Sequence, residues 1–233
     1  MKKIINFLKD LIAPKKCYSC KKEWHFLCLE CLEKIWYFEN ICYICKQKTI
    51  NFDNHFYCQN DYIYYDKIII LTHYKNKYIK SLIKQAKFHH KKDILEDLSI
   101  YLWDILLKNI KENKKDIILI SSPMYFLKKL SRWYNQSEIL VKNISKNFWL
   151  KYSFDIIKKI KKSKPQSHLS KIQRQENLKW VFALNTKKIQ KYKDKTFVIV
   201  DDVISTWTTI NEISKTLKKA WIKKVYALII ASD

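Results

Sequence analysis

Residues 195–210, KTFVIVDDVISTWTTI, constrain the fold more than any other stretch of the chain. A buried-strand run (Phe197, Val198, Ile199, Val200) leads into two adjacent carboxylates, Asp201 and Asp202. A hydroxyl-rich loop with Ser205, Thr206, Thr208 and Thr209 follows, and then a helical pattern through Leu217. A loop that opens a helix gathers unpaired N–H groups at the positive end of the helix dipole, which suits it to a phosphate. The carboxylates stand where the hydroxyls of a sugar could be accepted. Other runs extend the alternation. DIILIS at 116–121 reads as a short buried strand entering Ser122-Pro123, and 225–231 reads as the last strand. The β-branched and aromatic run 62–74 reads as strands. Ile79, Leu82, Ile83 and Ala86 share one helical face, and a second helix spans 93–109. Lys84, Lys87, His89 and His90 close the first of these and read as a solvated helix end. The expected class is α/β, a mostly parallel open sheet with helices on both faces and ligands beyond the carboxyl ends of its strands.

The order apolar run, Asp-Asp, two spacers, Ser-Thr-x-Thr-Thr resembles the phosphoribosyl-pyrophosphate (PRPP) loop of type I phosphoribosyltransferases. The resemblance implies that Asp201 and Asp202 bind the ribose 2′- and 3′-hydroxyls. It also implies that Ser205, Thr206, Trp207, Thr208 and Thr209 wrap the 5′-phosphate, and that Ser121 and Ser122 approach the pyrophosphate. Mg²⁺ would accompany PRPP, because displacing pyrophosphate at the anomeric carbon needs its charge neutralised. Arg132 is the candidate side chain for that task, since a guanidinium can fork onto two phosphate oxygens. Its alternative is a structural pair with Glu138. Trp207 departs from the family pattern, which has glycine at this position, and an indole there should fill the volume a phosphate needs.

That departure recurs. Globular chains average about 7% glycine, yet this one has Gly 0 and Trp 8. Trp221 follows the helical run 211–220 and precedes a strand, at the left-handed position glycine dominates. Trp24 lies in a turn between cysteine pairs, Trp133 follows Arg132 in a turn, and Trp149 closes the helical run 135–148. We read the eight tryptophans as glycines of the natural protein, a UGA codon assigned to glycine having been translated as tryptophan. UGG triplets at the eight positions would end this reading.

Residues 14–60 carry a second signature. Cys17-x2-Cys20, Cys28-x2-Cys31, Cys42-x2-Cys45 and His55-x2-Cys58 use all seven cysteines and one histidine, the eight donors that two tetrahedral zinc sites need. The count closes without His25. Sequential pairing fits a double zinc ribbon, and cross-braced pairing is the alternative. A module this small folds around metal, so both zinc ions are expected to be structural. The expected organisation is an N-terminal helix over 1–13, the double zinc ribbon over 14–60 and a phosphoribosyltransferase-like domain over 61–233. Ile4, Ile5, Leu8, Leu11 and Ile12 share a face in the first of these, while Lys9 and Asp10 interrupt its apolar run. No stretch is a membrane span, no secretory signal is expected, and the expected location is the cytoplasm.

The formal charge of +24 suits an acidic partner such as nucleic acid, although Lys, Ile and Asn are inflated together as an AT-rich coding sequence would dictate. Both arginines fall within distinctive segments. Arg132-Trp133-Tyr134-Asn135-Gln136-Ser137-Glu138 opens a helix, and Pro165, Gln166, Leu169, Ser170, Arg174, Asn177, Trp180 and Phe182 form a second ordered set. Gln136 and Gln166 could orient substrate or cap helices. These segments, the cysteine pairs and the PRPP-type loop together resemble the ComF family. The resemblance implies a zinc ribbon ahead of a phosphoribosyltransferase-like domain, a role in DNA uptake (natural competence), single-stranded DNA as a partner and the uptake machinery as context. His55 departs from the family, which has cysteine there. Two functions are carried forward. One is a PRPP-binding accessory protein of DNA uptake, favoured because no base-reading hood follows the last strand. The other is an active phosphoribosyltransferase of amidophosphoribosyltransferase or nucleobase-salvage type.

Overall fold

The computed structural model describes residues 14–34, 37–60, 62–89, 91–161 and 181–233. The helix expected over 1–13 lies outside these, as do Trp36, His90 and the segment containing Pro165, Gln166, Arg174, Asn177 and Trp180.

Four apolar runs make the sheet: β1 (Lys67–His73), β2 (Ile117–Ser121), β6 (Thr196–Ile204) and β7 (Lys224–Ser232). Their near-continuous burial is the mark of strands covered on both faces. With the short β3 (Lys151–Tyr152) they form a sheet of order β1-β7-β6-β2-β3, parallel at every pairing. β4 (Ile157–Lys159) and β5 (Phe182–Leu184) form a separate antiparallel pair. Residues 62–66, expected as strand, precede β1 instead. Asn211 holds them there, accepting from Tyr64 N–H at 2.8 Å and donating to the Tyr62 carbonyl at 2.7 Å.

Among the described residues the helices are α1 (Leu29–Glu33), α2 (Lys77–Phe88), α3 (Asp93–Asn109), α4 (Phe126–Arg132), α5 (Gln136–Phe148), α6 (Thr186–Ile189) and α7 (Thr208–Lys218). Asn76 caps α2, its side chain accepting from Tyr78 and Ile79 N–H, and the Ile79, Leu82, Ile83, Ala86 face is buried. Helix α3 packs along α5 and against β1 and β7, while α7 packs against β7 and β5. From β2 the chain crosses outward to β3, and from β6 it crosses the other way to β7. The order of connection therefore reverses between β2 and β6, the place where open α/β sheets bind ligands.

The cysteine-bearing segment wraps the β1 edge. On the α3 side, Phe26 N–H donates to Asp97 Oδ2 at 2.9 Å and Tyr101 Oη donates to the Leu27 carbonyl at 2.7 Å. Phe38 N–H bonds the Leu71 carbonyl at 3.1 Å, and Tyr37 bridges Thr72, so these residues cover the outer edge of β1. Further on, Tyr43 Oη lies 2.8 Å from Ser232 Oγ of β7, and Asp53 pairs with the buried Lys67 at 2.7 Å. Among the described residues no helix is long and apolar enough to cross a membrane.

Candidate functional site

The donors expected to hold metal come together as two groups: Cys17, Cys20, Cys28 and Cys31, and Cys42, Cys45, His55 and Cys58. Pairing is therefore sequential. Within each group every donor atom lies within 4.8 Å of the others. A zinc tetrahedron with arms of about 2.3 Å has edges of about 3.8 Å. Cys20 and Cys28 Sγ are 3.6 Å apart, and Cys45 Sγ lies 3.3 Å from His55 Nδ1, so the donors already stand at coordination spacing. His55 Nε2 sits 3.0 Å from the Lys48 carbonyl. A proton on Nε2 makes that contact a hydrogen bond and turns the Nδ1 lone pair toward the thiols. The residue after each first knuckle pair, Lys21 and Lys46, takes a left-handed φ of 65° and 64°, giving both clusters the same turn. Burial opposes ionisation of Cys17, but backbone N–H groups at Cys20, Cys28 and Ser19 bring its thiol down to about 6. In the second cluster the Gln47 backbone leads the same effect on Cys45, also to about 6. These two cysteine-rich clusters could hold zinc.

The other candidate site lies at the carboxyl ends of β2 and β6. Asp201 and Asp202 are inside β6, which continues to Ile204 because β7 keeps pairing with it through Ile204 and Ser232. The loop is correspondingly shorter than expected. Ser205, Thr206 and Trp207 connect β6 to α7, while Thr208 and Thr209 form the first turn of that helix. Trp207, the residue that opens α7, makes no side-chain cap bond, and the first turn of the helix, with its positive dipole end, begins beyond the end of β6. Trp207 is the N-cap, with φ −68° and ψ −8°, and its half-buried indole packs on the core. Ser121 ends β2 and Ser122 follows it, both buried, and Ser122 N–H bonds the Val200 carbonyl at 2.9 Å.

Residues 132–138 frame the acids. Asn135 caps α5 by accepting from Ser137 N–H, and it donates to the Ser122 carbonyl at 3.0 Å. Ser137 Oγ donates to Asp201 Oδ1 at 2.8 Å. Asp202 pairs with Lys87 Nζ at 3.0 Å. This corrects the expectation that the end of α2 is merely solvated, because the Lys87 side chain is only 18% exposed. The Arg132 guanidinium lies over the Phe88 ring, 5.5 Å from its centroid. Glu138, the structural partner considered for Arg132, is taken by Lys129 at 2.7 and 2.9 Å. Gln136 does not cap its helix, and its buried Nε2 has no hydrogen-bond partner among the described residues.

The electrostatics are strained. Burial, and then the charge of Asp202, push the Asp201 carboxyl above its ordinary range against hydroxyl bonds from Ser137 and Ser122. Lys128 is lowered by desolvation of its ammonium and then by Arg132 and Lys87. Lys159 is lowered by burial and then by Lys128. Two acids and four cations thus share one end of the sheet, and the cations repel one another. A polyanion entering here would relieve that repulsion. A cleft of about 790 Å³ lies elsewhere, between α7 and the β5–α6 segment, and contains none of these residues.

A carboxyl whose pKa is raised by folding supports the fold below its unfolded pKa and loses that contribution as pH rises through the raised value. Asp201→Asn should therefore raise Tm at pH 8 by about 2–4 °C, the response of a chain this size to about 1 kcal/mol. The gain should vanish toward pH of about 4, where the unfolded carboxyl is itself half protonated. Thermal melts across this range check it, and a lower Tm at pH 8 would refute it.

Comparison with known proteins agrees with this geometry. The family model for the phosphoribosyl transferase domain matches residues 135–232, which run from the Asn135 cap through the acidic pair to the end of β7. Competence protein F of Haemophilus influenzae is 28% identical over 219 residues, covering 87% of this chain and 95% of that protein. DNA utilization protein YhgH of Escherichia coli K12 is 27% identical over 144 residues, and that of Salmonella typhimurium is 29% identical over 140. These matches span 60% and 59% of the YhgH proteins, against 60% and 58% of this chain. The chain is thus a homologue of competence protein F, with a phosphoribosyl transferase domain at residues 135–232 preceded by two four-donor cysteine clusters.

Proposed function

We propose that the protein binds PRPP with Mg²⁺ at the carboxyl ends of β2 and β6 and acts in the handling of incoming DNA during natural competence, in the cytoplasm. The supporting observation is the acidic pair at the reversal of strand order, with the first turn of α7 beyond it and with Lys87, Lys128, Arg132 and Lys159 gathered at the same end of the sheet. Asp201 and Asp202 accept the ribose 2′- and 3′-hydroxyls. Ser205, Thr206 and the first-turn N–H groups of Thr208 and Thr209 surround the 5′-phosphate, with Trp207 leaning on the core beside it. Ser121, Ser122, Lys128 and Arg132 receive the pyrophosphate. Mg²⁺ carried by PRPP would supply further neutralisation of the pyrophosphate oxygens. If ribosyl transfer occurs, this chain's part is to hold the sugar by its diol and to balance charge as pyrophosphate departs. Residues 14–60 form the structural zinc module of this assembly, and residues 61–233 form its ligand-binding domain.

Calorimetric titration of PRPP with Mg²⁺ tests this. Losing a hydrogen bond to a charged group costs about 1.5–3 kcal/mol, so Asp201→Asn and Asp202→Asn should each weaken binding by roughly 10- to 150-fold. Equal heats in wild type and both variants would remove the acids from the site. Single-stranded DNA is the proposed macromolecular partner, on the strength of the +24 charge and of exposed rings such as Phe56, Tyr57 and Phe126. Its affinity should fall steeply with salt, and a flat log–log salt plot would dismiss the electrostatic part.

A further inference from the structure

The acidic pair is gripped from a direction that the PRPP loop does not explain. Lys87 comes from the last turn of α2, where the helix dipole favours a cation, and reaches Asp202 Oδ1 at 3.0 Å. The ion pair is largely enclosed, with side chains 18% and 10% exposed, so solvent screens it weakly. Both neighbours of Lys87 are fastened to the segment that opens α5. Tyr134 Oη donates to the Ala86 carbonyl, and Arg132 covers the Phe88 ring. The same segment reaches β2 through Asn135 and Asp201 through Ser137. Residues 132–137 therefore brace Lys87 and the acids against each other.

We propose that Lys87 is a positioning residue for the acidic pair: it holds Asp202 charged through one carboxylate oxygen and leaves the other for one of two vicinal sugar hydroxyls. The proposal rests on the reading that the pair accepts a diol. Adjacent carboxylates in a crowded place ionise together only where cations oppose their repulsion. The groups bearing on the pair are Lys87 from α2, Lys128 from α4, Lys159 from β4, and the hydroxyls of Ser122 and Ser137, while Arg132 from α4 bears on Lys128. Of these, Lys87 makes the ion pair with Asp202, and its removal leaves two like charges side by side on β6. Tyr134 acts one step behind, since its bond to Ala86 fixes the end of α2 from which Lys87 extends.

The test uses the full chain without ligand and follows the side-chain carboxyl carbons of Asp201 and Asp202 by NMR across pH. Lys87→Gln should move the titration of the pair upward by about one pH unit or more, and Lys87→Arg should restore the wild-type curve. Tyr134→Phe should move it the same way by less, and serves if Lys87→Gln folds poorly. An unmoved titration in both Lys87→Gln and Tyr134→Phe overturns the proposal. PRPP–Mg²⁺ binding measured in parallel should weaken from pH 8 to pH 6 by a larger factor for Lys87→Gln than for wild type, because the upward-moved titration leaves more of the pair protonated at pH 6. An equal loss at both pH values overturns the positioning role. A wild type that binds no PRPP while its Lys87→Gln titration moves sinks the sugar reading separately and upholds the grip of Lys87 on Asp202.

Discussion

Stripping metal from the two cysteine clusters should unfold residues 14–60 and drive the rest of the chain into aggregates. The donors bind metal or leave four thiols crowded in one cluster and three beside His55 in the other, and the segment's regular structure among the described residues is limited to two short helical turns. Structural zinc contributes about 10–16 kcal/mol per site, comparable with the whole stability of an ordinary domain, about 5–15 kcal/mol. The damage would spread because the segment covers β1. Tyr37 and Phe38 occupy the outer edge of a strand whose Ile68, Ile69, Ile70 and Leu71 are all buried. Uncovered, that apolar edge is a template for pairing with another chain. Chelator should therefore lower Tm by tens of degrees and raise light scattering, as should Cys17→Ser or Cys42→Ser. Zinc-depleted protein that stays monodisperse with an unchanged Tm would refute the structural role.

The sheet was legible because its strands are apolar runs flanked by helical periods, and the clusters because donor spacing is local. The sequence left pairing of the cysteine clusters open, since both pairings use the same donors; only the folded chain brings the first four together apart from the last four. Long-range features were hidden. The acids sit inside β6 because β7 supplies partners as far as Ser232, which no property of residues 195–210 reveals. Lys87 looked like one more surface lysine in a chain crowded with them, and its partner lies on a distant strand. The segment opening α5 was visible as a motif, but its parts were assigned by side-chain chemistry alone. Glu138 went to Lys129, while Arg132 went to the face of Phe88. Gln136 turned inward as Asn135 took the cap, so its neighbour closed the capping role.

Glycine at positions 24, 133, 149 and 221 should stabilise the protein more than any other set of surface changes. All four tryptophans sit at left-handed φ, 78°, 64°, 60° and 65° respectively. There a Cβ crowds the following carbonyl at a cost of about 1–2 kcal/mol per residue. Trp133 and Trp149 close α4 and α5, the place where helices most readily accept glycine. The indoles give little in return, because all four are exposed, Trp149 by 91%. The quadruple variant should gain roughly 4–8 kcal/mol if the sites add. Trp103 predicts the reverse. It is 1% exposed within α3 and stacks on Phe148 with ring centroids 4.7 Å apart. Trp103→Gly alone should cost at least about 3–5 kcal/mol through the cavity, with a further penalty for glycine inside a helix of about 1 kcal/mol. Trp207, at φ −68°, should respond through the ligand and through packing rather than through backbone strain, with Trp207→Gly raising PRPP affinity while lowering Tm as the indole's contact with the core is lost. Urea unfolding of the quadruple, Trp103→Gly and Trp207→Gly variants separates these effects. A quadruple variant less stable than the tryptophan form would overturn the assignment of glycine to those turns, and UGG codons in the gene would overturn it at its source.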